Sequence, residues 1–416
     1  MQTITKEKKS SNCFMKSSAL PPHINLTSWG LKAHIHTRIS DIETTWDALV
    51  VDEYFAQGKY LKTLENTNPD HLKNVYVLIT KNDRHVGAIL LQSLVLDMSK
   101  SFDYDNYTTD KSFFSRLWQR FRQVMISLIT VRMLTVGNLY LTGQYGIFLS
   151  DELGDSEVKY KILDDLVKYF KKGFRKTPYR FSGVLYKDFF DNLQTSRHKD
   201  LGLCPFQIDP NMILKMKPSW LNFDDYLLDM KSKYRVRLKN AMKKFAPIER
   251  RVLSLEEVRT YNSEMYSLYS EILEGSGFVL AMGRENYFEE LKRQLGDALQ
   301  VTGYFLDGKL VGFYTWVVEG DKMDSHFIGF KKELNNTYQL YLNILLDLVR
   351  DGIKEKVASI YYFRTALEIK SSVGAEPYDM TCYYKQMNPL LNKLVPPIFD
   401  YFIPQQTWKQ RHPFKG

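Results

Sequence analysis

Three groups of residues have types and spacings that could do chemistry. Asp324 and His326 stand two apart in MDSHFIGF, a stretch rich in strand formers. On a strand they share a face, and the imidazole of His326 could accept a proton near neutral pH. Further on, Arg364, Glu368 and Lys370 follow the strand-like Ala358–Arg364, in which Tyr361 and Tyr362 alternate and must present one phenol to each face. The third group is KSKYRVRLKNAMKK, residues 231–244, with seven cationic side chains and no acidic one. Such a run suits nucleic acid, anionic lipid, a phosphorylated ligand, or simply solvent. Cys13, Cys204 and Cys382 have neither paired spacing nor a histidine cluster, so neither a disulfide framework nor a metal site is expected.

The elements that must position these groups can be read from the same chain. With 416 residues, two domains are expected. Apolar residues make up 44% and aromatics 14%, the composition of a folded protein with an aromatic core, and the net charge of +9 favours polyanionic neighbours. The sequence repeats itself. YVLITKNDRHVGAILL (76–91) and YFLDGKLVGFYTW (304–316) each read as a β-hairpin, turning at Asn82-Asp83 and Asp307-Gly308. ILDDLVKY (162–169) and ILLDLVRD (344–351) are matching amphipathic helices, and the same spacing lays YRFSGVLY (179–186) over YYFRTALE (361–368). Hairpin, helix and strand recur in one order, so a duplicated α/β unit is expected, each a central mixed sheet flanked by helices. The expected divisions are a flexible tail (1–28), a first unit (29–204), a second unit (205–394) and a Pro- and aromatic-rich extension (395–416). In the basic stretch, Tyr234, Leu238, Ala241, Met242 and Phe245 fall on one helical face. Before it, SWLNFDDYLLDM predicts a helix capped at Ser219 or Asn222.

Trp220, Asp225-Tyr226-Leu227, Lys233-Tyr234-Arg235 and Leu238-Lys239, followed by the Asp307–Gly312 hairpin and YYFRTALEIKSSVGAEP, resemble the GNAT-type acyltransferase domain shared with the Fem-like twin-domain group. The resemblance covers most of residues 218–390, with the first unit as a degenerate partner. It implies tandem GNAT-like domains and an N-acyltransferase that moves an acyl group from acyl-CoA, as co-substrate, to an amine acceptor. It also implies a donor seated where two parallel strands part, here Met323–Phe330 and Ala358–Arg364. A helix over 337–351 would then offer its N-terminus to a pyrophosphate, with Lys331, Lys332, Asn335, Asn336 and Thr337 as donor-binding residues. LNNTYQLY has none of the glycines that this loop usually carries.

On the same resemblance His326 is the first candidate base and Glu368 the second, with Tyr362 placed to protonate the leaving group. Arg364 and Lys370 would orient an anionic acceptor, and Lys233, Tyr234 and Arg235 would flank the acceptor groove. Residues 112–136, aromatic, aliphatic and Arg-studded, read as an amphipathic insertion that meets anionic lipid or packs on the core. The expected location is cytoplasmic, with room for peripheral attachment to an anionic membrane surface. No stretch reaches the ~20 apolar residues of a membrane span. Two other readings stay open: a Fem-type transferase that uses aminoacyl-tRNA to build cell-wall peptides, and a catalytically inactive GNAT-fold binding protein. Against the former, Glu256–Leu299 is too short for the long coiled-coil arm such enzymes usually insert. Nucleic acid is expected as a partner only if aminoacyl-tRNA is the donor.

Overall fold

The computed structural model describes residues 19–51, 53–97, 130–189, 195–274, 281–396 and 408–415. Sixteen strands lie among them. In the first part of the chain these are β1 (His23–Leu26), β2 (Leu31–His36), β3 (Leu72–Lys81), β4 (Arg84–Asp97), β5 (Thr130–Val136), β6 (Ile147–Leu149), β7 (Gly183–Phe189) and β8 (Cys204–Gln207). They continue with β9 (Asn211–Lys215), β10 (Glu249–Val252), β11 (Gln300–Leu306), β12 (Lys309–Glu319), β13 (Lys322–Phe330), β14 (Ser359–Phe363), β15 (Glu376–Tyr378) and β16 (Thr381–Gln386). Two mixed sheets result. The first runs β1-β2-β3-β4-β5-β7-β16-β8 with β6 added to β4, and the second runs β10-β11-β12-β13-β14-β9-β15.

The duplicated unit is present in both sheets. Asn82, Asp83, Asp307 and Gly308 all have positive φ, as a two-residue hairpin turn demands, and the flanking pairs Lys81–Arg84 and Leu306–Lys309 close the turns. Each unit then makes one parallel contact, β5 with β7 and β13 with β14, spanned by the helices Ser156–Gly173 and Leu340–Lys354. Both helices bury their aliphatic stripe on their own sheet: Ile162, Leu163 and Leu166 in one, Ile344, Leu345 and Leu348 in the other. The strand overlay read from constant spacing is out of register. Ladder pairing equates Gly183 with Ser359, each opening its parallel pair, whereas the spacing had set Tyr179 over Tyr361. The connection from helix to strand is longer in the first unit, residues 174–182 against 355–358, and this accounts for the slip.

Two further expectations are corrected. Residues 130–136, taken as the end of an amphipathic insertion, form β5, a central strand; the run TVRMLTV is apolar enough for either structure, and only its neighbours β4 and β7 decide. The remainder of that stretch, 112–129, lies outside the described residues, as do residues 1–18 of the expected tail. The expected boundary between residues 204 and 205 falls inside β8, which belongs to the first sheet, and so does β16 from near the other end of the chain. The two units also share a core. Trp46, Phe55 and Tyr60 of the first pack into one cluster with Leu268, Phe288, Phe313 and Phe327 of the second.

Asn222 caps the helix Phe223–Asp229 in a capping box with Asp225. The basic stretch is the helix Ser232–Phe245, which buries Tyr234, Leu238 and Ala241 and turns Lys233, Arg237, Lys239, Lys243 and Lys244 to the exterior. From the extension, Phe414 packs on Trp220 and Tyr226 and closes over Gly374, where any Cβ would meet its ring. No helix among the described residues is long and apolar enough to cross a membrane.

Candidate active site

β13 and β14 run side by side for only three residue pairs, Lys322–Ser359, Met323–Ile360 and Asp324–Tyr361. Beyond Asp324 they part: β13 continues to Phe330 beside β12, while β14 follows β9 and ends in a segment with positive φ at Phe363, Thr365 and Ala366. The chain therefore forms a fork with Asp324 at its crotch.

Around that point a buried polar cluster joins the two units. Tyr145, from the first unit, donates to Asp324 Oδ2 at 3.0 Å. Lys322 Nζ lies 3.6 Å from the same oxygen, 3.0 Å from Glu319 and 3.7 Å from Glu53, and sits over the rings of Tyr145 and Tyr361. Asp324 Oδ1 and Ser325 Oγ are buried without a hydrogen-bond partner among the described residues. Burial, and after it the neighbouring Glu319 and Glu53, outweigh Lys322 and Tyr145 and push the Asp324 carboxyl up to about 7. Lys322 itself is held firmly protonated by its three carboxylates, which overcome burial. A carboxyl that titrates near neutrality, with one oxygen anchored and the other unpartnered, has the makings of a proton acceptor.

The predicted site residues scatter around this centre. His326 shares the face of Asp324 as expected, but its ring lies buried against Phe55 at 4.3 Å and Phe327 at 4.0 Å, with neither nitrogen bonded among the described residues. Burial holds it well below its ordinary range, so it is a packed neutral ring where a base was expected. Glu368 is exposed and ion-paired to Arg411, which lowers its carboxyl further and makes it a poor base. Tyr362 points into the helix side of the sheet, where its hydroxyl donates to the Leu345 carbonyl; Tyr361 is the phenol that faces the fork. The tyrosine correction follows from alternation: the sequence requires one tyrosine on each face without saying which.

Arg364 pairs with Asp188 of the first unit and donates to the Asp209 carbonyl. Lys370 is buried, its Nζ on the carbonyls of Tyr362, Phe363 and Arg364; burial pushes it down to about 7. Both fasten the end of β14 and neither faces an open groove. Lys233 lies over the Tyr234 ring, Tyr234 is buried, and Arg235 donates to the carbonyls of Leu228 and Met230 at the end of the preceding helix.

The donor cradle differs most from expectation. Residues 332–338 form a helical turn of their own, Gln339 adopts the left-handed conformation, and the long helix starts at Leu340 rather than 337. The backbone N–H of Tyr341, in the first turn, already donates to Asn335 Oδ1 at 2.9 Å. Lys332 turns back onto Glu271 through both its backbone N–H and its side chain. Asn336, Thr337 and Lys331 lie on this short helix and its cap. Asn335 thus takes one of the N–H groups that a pyrophosphate at this helix start would use. Among the described residues no group of three or more His, Cys, Asp or Glu could hold a metal ion. Sequence reasoning missed Tyr145, Lys322, Glu319 and Glu53; only the strand position of Lys322 beside Asp324 carried any signal.

Residues 232–379 match a model described as the acetyltransferase (GNAT) domain. Among solved structures, FemX is similar over 85% of this chain and 98% of its own, at 11% identity and a TM-score of 0.50. A tandem GNAT protein from the clavulanic acid biosynthesis pathway, solved without AcCoA, is similar over 86% and 99%, at 12% identity and a TM-score of 0.48. L-PGS from Bacillus licheniformis is similar over 67% and 86%, at 14% identity and a TM-score of 0.42. No curated protein matches the chain significantly. The chain thus carries a GNAT acyltransferase fold in tandem, and at 11% identity its likeness to FemX is one of fold.

Proposed function

We propose that the chain transfers an acyl group to an amine at the fork between β13 and β14, and that the group arrives as the ester of an aminoacyl-tRNA rather than as a coenzyme A thioester. The observation that carries the reading is the short parallel ladder that opens at Asp324, beside a helix start at which Asn335 takes the Tyr341 N–H and the Lys332–Tyr338 turn stands in front. Two further facts support it. The helix Ser232–Phe245 turns a row of exposed cations outward, a face suited to a polyanionic carrier. The missing coiled-coil arm, which had argued against a Fem-type reading, loses its force because this chain spans 98% of FemX without one.

In this reading the first unit and the basic helix hold the carrier, the fork holds the ester, and Asp324 takes the proton from the attacking amine. Thermal denaturation with acyl-CoAs of increasing chain length, set beside electrophoretic binding of charged tRNA, tests it. Charged tRNA is expected to bind with an affinity that falls steeply with salt, and K233E/K239E/K243E is expected to weaken it at least tenfold. A rise in melting temperature with acyl chain length, without tRNA binding, would return the donor to coenzyme A.

A further inference from the structure

We propose that the first unit, having closed its own fork, uses the plug as part of the second unit's site: the loop Gly137–Gly146 delivers Tyr145 as the residue that positions the Asp324 carboxylate for proton transfer. The inference rests on the transferase reading of the second fork.

The first fork opens where the β5–β7 ladder ends, after Val136–Tyr186. Gly137, with φ of 127°, turns the chain there and lies against Lys187. Lys187 is buried, donates to the Leu141 carbonyl and pairs with Asp188, while Asp188 accepts the Gly143 N–H at 3.0 Å. Lys187, Asp188 and the loop therefore occupy the ground between the parting strands. At the neck of the loop a Cβ on Gly146 would stand 2.4 Å from Gly137 Cα, so the two glycines touch backbone to backbone. That neck fixes the ring of Tyr145, which packs edge-on to Phe55 at 6.1 Å and sends its hydroxyl to Asp324.

The groups facing Asp324 are Lys322 on its own strand, Glu319 on β12, Tyr361 on β14, and Glu53 and Tyr145 from the first unit. Of these, Lys322 and Tyr145 favour the ionised carboxylate, and Tyr145 is the neutral donor bonded to it. By anchoring Oδ2 it leaves Oδ1 to take the proton. As the amine nitrogen bonds to the acyl carbon, Asp324 accepts the N–H proton. The bond from that carbon to the leaving oxygen then breaks with its electron pair, and Asp324 returns the proton to that oxygen.

Infrared titration of the Asp324 carboxyl, assigned by its loss in D324N, is read in the full-length parent, Y145F and the control Y140F, alongside transfer from charged tRNA across pH. Loss of the phenol is expected to move the titration and the acidic limb of kcat to higher pH, and to lower kcat about tenfold or more at neutral pH with KM unchanged, as suits one hydrogen bond to a charged group. Y140F is expected to match the parent. Transfer by the parent together with an unmoved titration and limb in Y145F overturns the proposal and leaves the transferase reading standing. Absence of transfer by the parent from either donor overturns that reading and the proposal with it.

Discussion

His326 shows how a residue can be placed correctly and still do something other than its chemistry suggests. Its spacing from Asp324 put both on one face, and the structure keeps them there; what the spacing could not say is that Phe55 and Tyr60, far away in sequence, would cover the ring. A buried imidazole with two unbonded nitrogens costs stability, and a benzene ring of similar size would not. His326→Phe is therefore expected to raise stability by about 1 kcal/mol in urea denaturation and to leave transfer near the parent rate. A loss of transfer beyond tenfold in a stable H326F protein would make the imidazole a participant after all. Asp324 was legible only as a neighbour of His326 on that face, not as the candidate base, because what shapes its carboxyl comes from afar: Tyr145 reaches it from 179 positions away, and a single sequence carries no sign of such a contact.

At the scale of elements, the hairpins, the two long helices and the two strands of the second fork were legible because each has a local signature: turn residues able to take positive φ, a 3.6-residue apolar stripe, and runs of strand formers. The start of the helix Leu340–Lys354 was not. Its apolar periodicity runs back through Tyr338, and the break at Gln339 comes from one residue in the left-handed conformation, a choice fixed by the bonds of Asn335 to Tyr341 and of Gln339 to Asn335. Asn335→Ala is expected to cost about 1 kcal/mol, the usual loss of a side-chain cap, and to free the Tyr341 N–H. If the filled cradle is what keeps coenzyme A out, N335A should bind coenzyme A more tightly than the parent in calorimetric titration. Equal binding would show that the cradle is closed by something else.

At the scale of the whole molecule, the expected cut at residue 204 would divide a structure that does not divide there. β8 and β16 complete the first sheet from beyond that point, Arg364 pairs with Asp188 between the units, and one aromatic core is shared by both. The second half keeps all seven strands of its own sheet, whereas the first half is incomplete without β8 and β16. A chain ending at residue 204 is expected to lack a cooperative unfolding transition, and the full chain is expected to melt once, as read by calorimetry and by near-ultraviolet circular dichroism together. Two separated transitions would refute that coupling. The duplication was legible because both units keep the same local grammar. The contribution of β16 to the first sheet was not, since β16 has the same alternating character whichever sheet it joins, and strand partners are a property of the assembled molecule.

The place of β16 also sets a timetable. β7 is complete by Phe189, yet the strand that pairs with its free edge begins at Thr381. At a synthesis rate of ~5–20 residues per second, that edge waits roughly ten seconds or more on the ribosome. During this interval the nascent chain presents an open, apolar strand of the kind that captures other chains. Production of this protein in cells should therefore depend on chaperones that shield emerging polypeptide, and slowing translation late in the message should cost more soluble product than slowing it early.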